Sequence, residues 1–169
     1  MLASFQKRFL SVFALVLTLA FVGCSSNPKN NQDGEGLDGA GNEGLTLELN
    51  GDSDSGKAGN LRTVYFDFDS SSLSSSTRKT LDANAAYLKE NSNIDIQIEG
   101  HSDERGGIQY NLALGERRAK ATKDYLVAKG ISSSRVSIVS FGKERPVEFG
   151  HDESAWSKNR RANFVVTAK

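Results

Sequence analysis

The chain has 169 residues, with 21 basic and 21 acidic side chains, so its formal net charge is zero. The length suits one domain rather than two, and the charge balance argues against nucleic acid as a partner, since such proteins usually carry a basic excess. A hydrophobic content of 37% is low for a chain packed throughout, and the single cysteine, Cys24, excludes an intrachain disulfide.

Residues 1–23 read as a signal sequence. Lys7 and Arg8 form a positive flank, and Phe9 to Val22 is apolar apart from Ser11 and Thr18. That run has the length of a secretory core and is shorter than the roughly 20 residues a spanning helix needs. Gly23-Cys24-Ser25-Ser26 resembles a bacterial lipobox, although Phe21 and Val22 stand where such boxes usually carry leucine and a small residue. The resemblance implies cleavage before Cys24 and acylation of its sulfur. Ser25, in place of an aspartate, favours the outer membrane as the address. The alternative is an ordinary secreted protein with a free thiol.

Residues 24–60 are expected to form the lipidated cysteine and a flexible tether. Eight of the 16 glycines fall between 25 and 60, with seven acidic residues, two lysines and no aromatic residue. Such a composition buries too little apolar surface to offset its ordering entropy. Leu45 to Leu49 alternates like an isolated strand, as a docking segment or with no role.

The folded domain is expected over 61–169. Thr63 to Asp69 is rich in β-branched and aromatic residues and reads as a strand. The serines from Ser70 to Ser76 offer helix N-caps, and Leu81, Ala85 and Leu88 recur at helical spacing. Ile94, Ile96 and Ile98 alternate with polar residues, which marks a half-buried strand. A second helix runs to Gly130, with Gly115, Ala119, Thr122 and Leu126 on one stripe whose small residues suit close packing on a sheet. Val136 to Val139 makes a third strand, Gly142 to Asn159 a loop, and Ala162 to Thr167 a last strand. The order β-α-β-α-β-β defines an α+β two-layer sandwich, with two main helices on a mixed four-stranded sheet.

The strand-to-helix loop His101-Ser102-Asp103-Glu104-Arg105-Gly106-Gly107 is where a binding site is expected, since such loops display side chains from a rigid base. Arg118 follows on the helix, four residues after Leu114 and on the same face, at the domain edge. Asp103 can hold an ammonium group, and Arg118 can take a carboxylate through two parallel hydrogen bonds. The complementary ligand is an amino-acid terminus with both groups free, such as the side-chain end of meso-diaminopimelate in peptidoglycan. Equally open on pattern alone is a structural Asp103 that caps the helix or pairs with Arg105 or Arg118.

Five stretches carry a resemblance to a known family. They are Val64 to Asp69, Glu99 to Gly106, Tyr110 to Ala119, Phe141 to Pro146 and Asn159 to Ala162. In this order they resemble the C-terminal domain of the outer-membrane protein A family, over about residues 62–168. Asp-Glu-Arg-Gly in the loop and Leu-Gly-Glu-Arg-Arg-Ala on the helix are most similar to the branch of lipid-anchored, peptidoglycan-associated proteins. The resemblance implies noncovalent peptidoglycan binding, with Asp103 and Arg118 on the diaminopimelate and Phe68, Asp69, Arg105 and Leu114 as further contacts. It also implies docking to the Tol-system proteins TolB and TolA, a lipid anchor at Cys24 with the domain in the periplasm, and a role in envelope integrity during division. Ser102 and Gly107 stand where the family usually has threonine, a departure expected to be peripheral. Asn159-Arg160-Arg161 also matches, where it either lines the pocket or braces the fold, with bracing favoured.

No enzyme activity, metal or cofactor is expected. His101 and His151 are the only histidines; a metal site would need three or four suitable ligands, so His101 is expected to be a satisfied structural residue. Asp67 and Asp69 could suggest paired carboxylates for acid–base work, but Asp67 is expected inside the strand ladder and no nucleophile motif lies near. Trp156 reads as a loop anchor, with a contact for a protein partner as the alternative, and Arg117, Lys120 and Lys123 as a solvated face. The rival readings are a module that mainly binds proteins and, less favoured, an envelope hydrolase.

Overall fold

The structure, a computed structural model, describes residues 46–169. The expected signal sequence, Cys24, Leu45 and the expected tether up to residue 45 lie outside the described residues.

Four strands form one mixed sheet in the order β1-β4-β2-β3. They are β1 (Val64–Tyr65), β2 (Asp95–His101), β3 (Val136–Gly142) and β4 (Arg161–Ala168). β2 is central, parallel to β3 and antiparallel to β4, with Ile98 opposite Ile138 and Phe164. Two long helices pack on the sheet, α1 (Ser75–Glu90) and α2 (Ile108–Ala128). Ser74 caps α1 by accepting from the Thr77 amide, which satisfies one of the amides a helix start leaves orphaned. Leu81, Ala85 and Leu88 of α1 meet Ile94, Ile96, Ile98 and Phe164 in one buried core.

The glycines of α2 and β2 set how closely these layers approach. A methyl added to Gly100 would lie 1.8 Å from the Gly115 carbonyl oxygen, and one added to Gly115 would lie 2.3 Å from Ser140 Oγ. Only hydrogen fits there, so the start of α2 rests directly on the end of β2.

Three expectations need correction. The first is the tether's end. Residues 46–60 are packed: Leu47 bridges Ala58, and Asp52 bridges Val165. Asn50 donates to the Val166 carbonyl, the Val166 amide to Gly51, and Ser53 to the Phe164 carbonyl. Because β1 pairs only with 161–162, the rest of that β4 edge is open, and this strap fills it. Asp54 then pairs with the buried Arg161 at 2.7 Å, and Ala58 is fully buried. A polar, glycine-rich composition was compatible with order because backbone bonds, side-chain bonds of Ser53 and Asp54 and the Asp54–Arg161 ion pair hold much of the strap, beside the packing of Leu47 and Ala58.

The second is the first strand, which covers only Val64–Tyr65 rather than 63–69. The carbonyls beyond it turn toward two guanidinium groups instead of a neighbouring strand. Arg160 takes that of Phe66, and Arg118 those of Asp67 and Ser70. Asp67 is therefore exposed and outside the ladder.

The third is the expected loop 142–159, which ends in a short helix, α3 (Glu153–Asn159). The Asp152 side chain caps it by accepting from the Ser154 and Ala155 amides.

Candidate functional site

At the end of β2 the chain leaves the sheet at His101 and reaches α2 through 102–107. Local bonds shape this loop. Asp103 Oδ1 accepts from the Arg105 amide, and Asn111 donates from α2 to the carbonyls of Arg105 and Gly107. Gly106 takes a φ of 91°, open to glycine at little cost. Lys143 donates to the carbonyls of Glu104 and Gly106, and α3 clamps the far side, with Trp156 and His151 both bonded to the Glu104 carboxylate.

Beside the loop lies a cleft of about 180 Å³. Phe68, Asp69, Asp103, Arg105, Leu114 and Arg118 all line it. Ser102, Gly106, Tyr110 and Asn111 line it as well and were not among the contacts expected from the sequence. Ser102 is not peripheral: it is 4% exposed, and its hydroxyl has no hydrogen-bond partner among the described residues. Its place directly before Asp103 was the only sequence signal for this. Tyr110 Oη donates to Asp69, which sits in a left-handed conformation at φ 53°.

Arg118 is not at the domain edge. It is 0% exposed, the largest of the fully buried side chains. Its Nε donates to Ser70, Nη1 to His101 and Nη2 to Asp67, all at carbonyls. Its plane lies over the Phe66 ring at 5.2 Å. Of five guanidinium N–H groups, two remain, one on each terminal nitrogen. No carboxylate among the described residues lies within salt-bridge distance of it. Burial, and then the neighbouring Arg160 charge, lower its pKa to about 10, against the opposing pull of Asp103 and Asp69. The cleft thus holds a buried cation bonded only to carbonyls, with Asp103 and Asp69 near it but not in contact.

Asp103 is the reverse case. Arg105 grips it through Nε at 3.2 Å and Nη2 at 2.7 Å, and Arg160 Nη1 reaches it at 3.3 Å. With the Arg105 amide, these bonds occupy all the acceptor capacity of the carboxylate. Burial raises its pKa, but the Arg105 bonds and charge outweigh this and hold it below the usual value. The Arg105 guanidinium is stacked between Phe68 and Trp156, each at 4.0 Å. Arg160 is more than a brace, since it joins Asp103 to Glu153 and to the Phe66 carbonyl. Asn159 and Arg161 do brace, the first holding Val147 and Glu148, the second Asp54.

His101 is buried at 1% exposure, and neither ring nitrogen has a hydrogen-bond partner among the described residues; Nε2 lies 3.5 Å from Glu99. The expected satisfied histidine is instead an unpaired one stacked on Phe141. Burial, more than the opposing Glu99 contact, lowers its pKa from 6.5. The fold therefore favours neutral His101. Its contribution is fully present above pH 6.5 and declines as pH falls below that value, where only the unfolded chain binds the proton. Glu104 raises the pKa of His151, so His151 works in the opposite sense, but it is exposed and screened. We expect the urea midpoint to drop between pH 7 and pH 5, and a His101→Gln variant to flatten that drop.

A family comparison gives the class: the chain belongs to the OmpA family, whose model matches residues 65–160. Within it, the peptidoglycan-associated lipoprotein of Rhizobium meliloti (strain 1021) is 44% identical over 162 residues, covering 92% of this chain and 86% of that protein. The protein of the same name from Pseudomonas aeruginosa is 44% identical over 164 residues, covering 93% and 96%. Among solved structures, the peptidoglycan-associated lipoprotein from Burkholderia pseudomallei superposes with a TM-score of 0.60 at 47% identity, over 62% of this chain and 89% of that one. The C-terminal domain of Helicobacter pylori MotB shares the fold at 16% identity and a TM-score of 0.60, covering 64% and 86%.

Proposed function

We propose that the domain binds peptidoglycan noncovalently, by the zwitterionic end of meso-diaminopimelate, and so links the outer membrane to the wall. The observation that carries this reading is Arg118: a buried guanidinium with two unused N–H groups and no carboxylate partner among the described residues, in the same cleft as Asp103. A ligand carboxylate supplies the missing counter-charge, with two parallel bonds. The ligand ammonium goes to Asp103, where it displaces N–H groups of Arg105. Glu153, whose Oε2 is already 3.9 Å from Arg105, receives the released guanidinium. The names of the relatives support the wall as partner, and describe association rather than a reaction. The lipobox-like Cys24 supplies the lipid anchor, which places the domain in the periplasm.

Retention on purified sacculi tests the site. Asp103→Asn keeps the shape and removes the charge, and is expected to weaken binding by about 2–5 kcal/mol, since the ligand charge is left unpaired. Wild-type retention by this variant, with folding verified, would refute the assignment.

A second reading rests on the cleft's mouth. Phe68 and Tyr110 are about half exposed or more, and exposed aromatic groups suit a protein partner. We assign that surface to the Tol proteins TolB and TolA. Wall fragments should compete with TolB for it.

A further inference from the structure

A second cleft, of about 170 Å³, lies against the first, and Ser102 lines both. Its chemistry differs. The first sets Arg118 and Asp103 among Phe68, Tyr110 and Leu114, whereas in the second Pro146 and Phe149 form an apolar platform with no buried guanidinium beneath it. Phe149 is 84% exposed, the most exposed large hydrophobic side chain among the described residues. Hydrogen-bonding groups with spare capacity surround it. Lys143 uses two of its three N–H groups on the carbonyls of Glu104 and Gly106. Glu148 uses one oxygen on Lys158, and His151 uses one ring nitrogen on Glu104. The buried Ser102 hydroxyl, in a residue that lines both clefts, has no hydrogen-bond partner among the described residues.

An apolar face ringed by separate donors and acceptors matches a pyranose, which presents C–H groups on one face and hydroxyl or amide groups around its edge. A lipid tail would leave the polar rim unpaired, which is costly. We propose that this second cleft is a glycan subsite, with an N-acetylated sugar of the wall stacked on Phe149 while the stem peptide's charged end sits in the first cleft. This rests on the peptidoglycan reading above. It extends that reading from the peptide to the sugar chain.

The test compares two ligands on the full chain by calorimetry: a free diaminopimelate-containing stem peptide and the same peptide on its disaccharide. The disaccharide form is expected to bind wild type about three- to tenfold more tightly, the range of one added aromatic contact. Phe149→Ala should erase that difference and leave the affinity for the free peptide unchanged. Such an exposed position is not expected to affect folding. Equal affinity of wild type for both ligands, or a difference that survives in Phe149→Ala, overturns the subsite and leaves peptide binding standing. Binding of neither ligand overturns both readings. A Phe149→Ala variant that keeps the difference but loses lipid vesicles would assign the platform to the membrane instead.

Discussion

Replacing Arg118 by alanine is expected to destabilise the domain by about 3–5 kcal/mol and to abolish wall binding. Three carbonyls, of Asp67, Ser70 and His101, lose their donor at once. These bonds tie the segment after β1 to the end of β2, so the cleft's two walls lose their common tie. Lysine keeps the charge, yet one ammonium on a flexible stem cannot reach three diverging carbonyls as the planar fork does. Arg118→Lys should therefore recover little stability and little binding. Urea unfolding and sacculus retention, measured on the same variants, check both. An alanine variant with a wild-type midpoint would mean that the buried guanidinium is not a structural tie.

The second large effect is expected at Gly100. A methyl there meets the Gly115 carbonyl oxygen at 1.8 Å. The obstruction is backbone on both sides, so no rotamer change relieves it, and a cost of about 3 kcal/mol or more follows from overpacking. Gly115→Ala should cost less, because its nearest obstacle is the movable Ser140 hydroxyl, with the Gly100 carbonyl at 2.7 Å. Arg118 lies one turn beyond Gly115 on α2, so lifting the helix also withdraws the guanidinium from its carbonyls. Binding should fall with stability in both variants. The double variant should cost less than the sum, since one displacement serves both methyls. Additive losses would show that the two glycines act independently.

How far the sequence foretold this arrangement depended on the range of the forces involved. The stripe Gly115, Ala119, Thr122 and Leu126 was readable because helix periodicity is local, and all four are buried. The alternation of Ile94, Ile96 and Ile98 marked β2 for the same reason. Arg118 was readable as a site residue but not as a buried one. Its partners stand 17 to 51 residues away in sequence, and the pattern on its own helix could not name them. The Asp103–Arg105 pair was one of the open structural alternatives and is present, whereas Arg160 on Asp103 was unforeseen because it spans 57 residues. Helix α3 has seven residues, too few for a clear period; its signal was Asp152 followed by Glu153, an N-cap and a first-turn acid. The strap was misjudged because composition reports what side chains can bury and says nothing of backbone bonds to an open strand edge.

The strap has a mechanical consequence. Leu47 sits beside Lys169 at the last residue of the chain, where Lys169 Nζ donates to its carbonyl. Asp103 stands at the opposite end of the sheet, where β2 finishes and β4 begins. Tension arriving from the residues before 46, with the far end held at the cleft, runs along the strand axes. The strap's bonds to β4 are then loaded together in shear rather than unzipped in turn. Rupture demands that several yield at once, so the domain resists pulling most strongly along the line from residue 46 to the cleft.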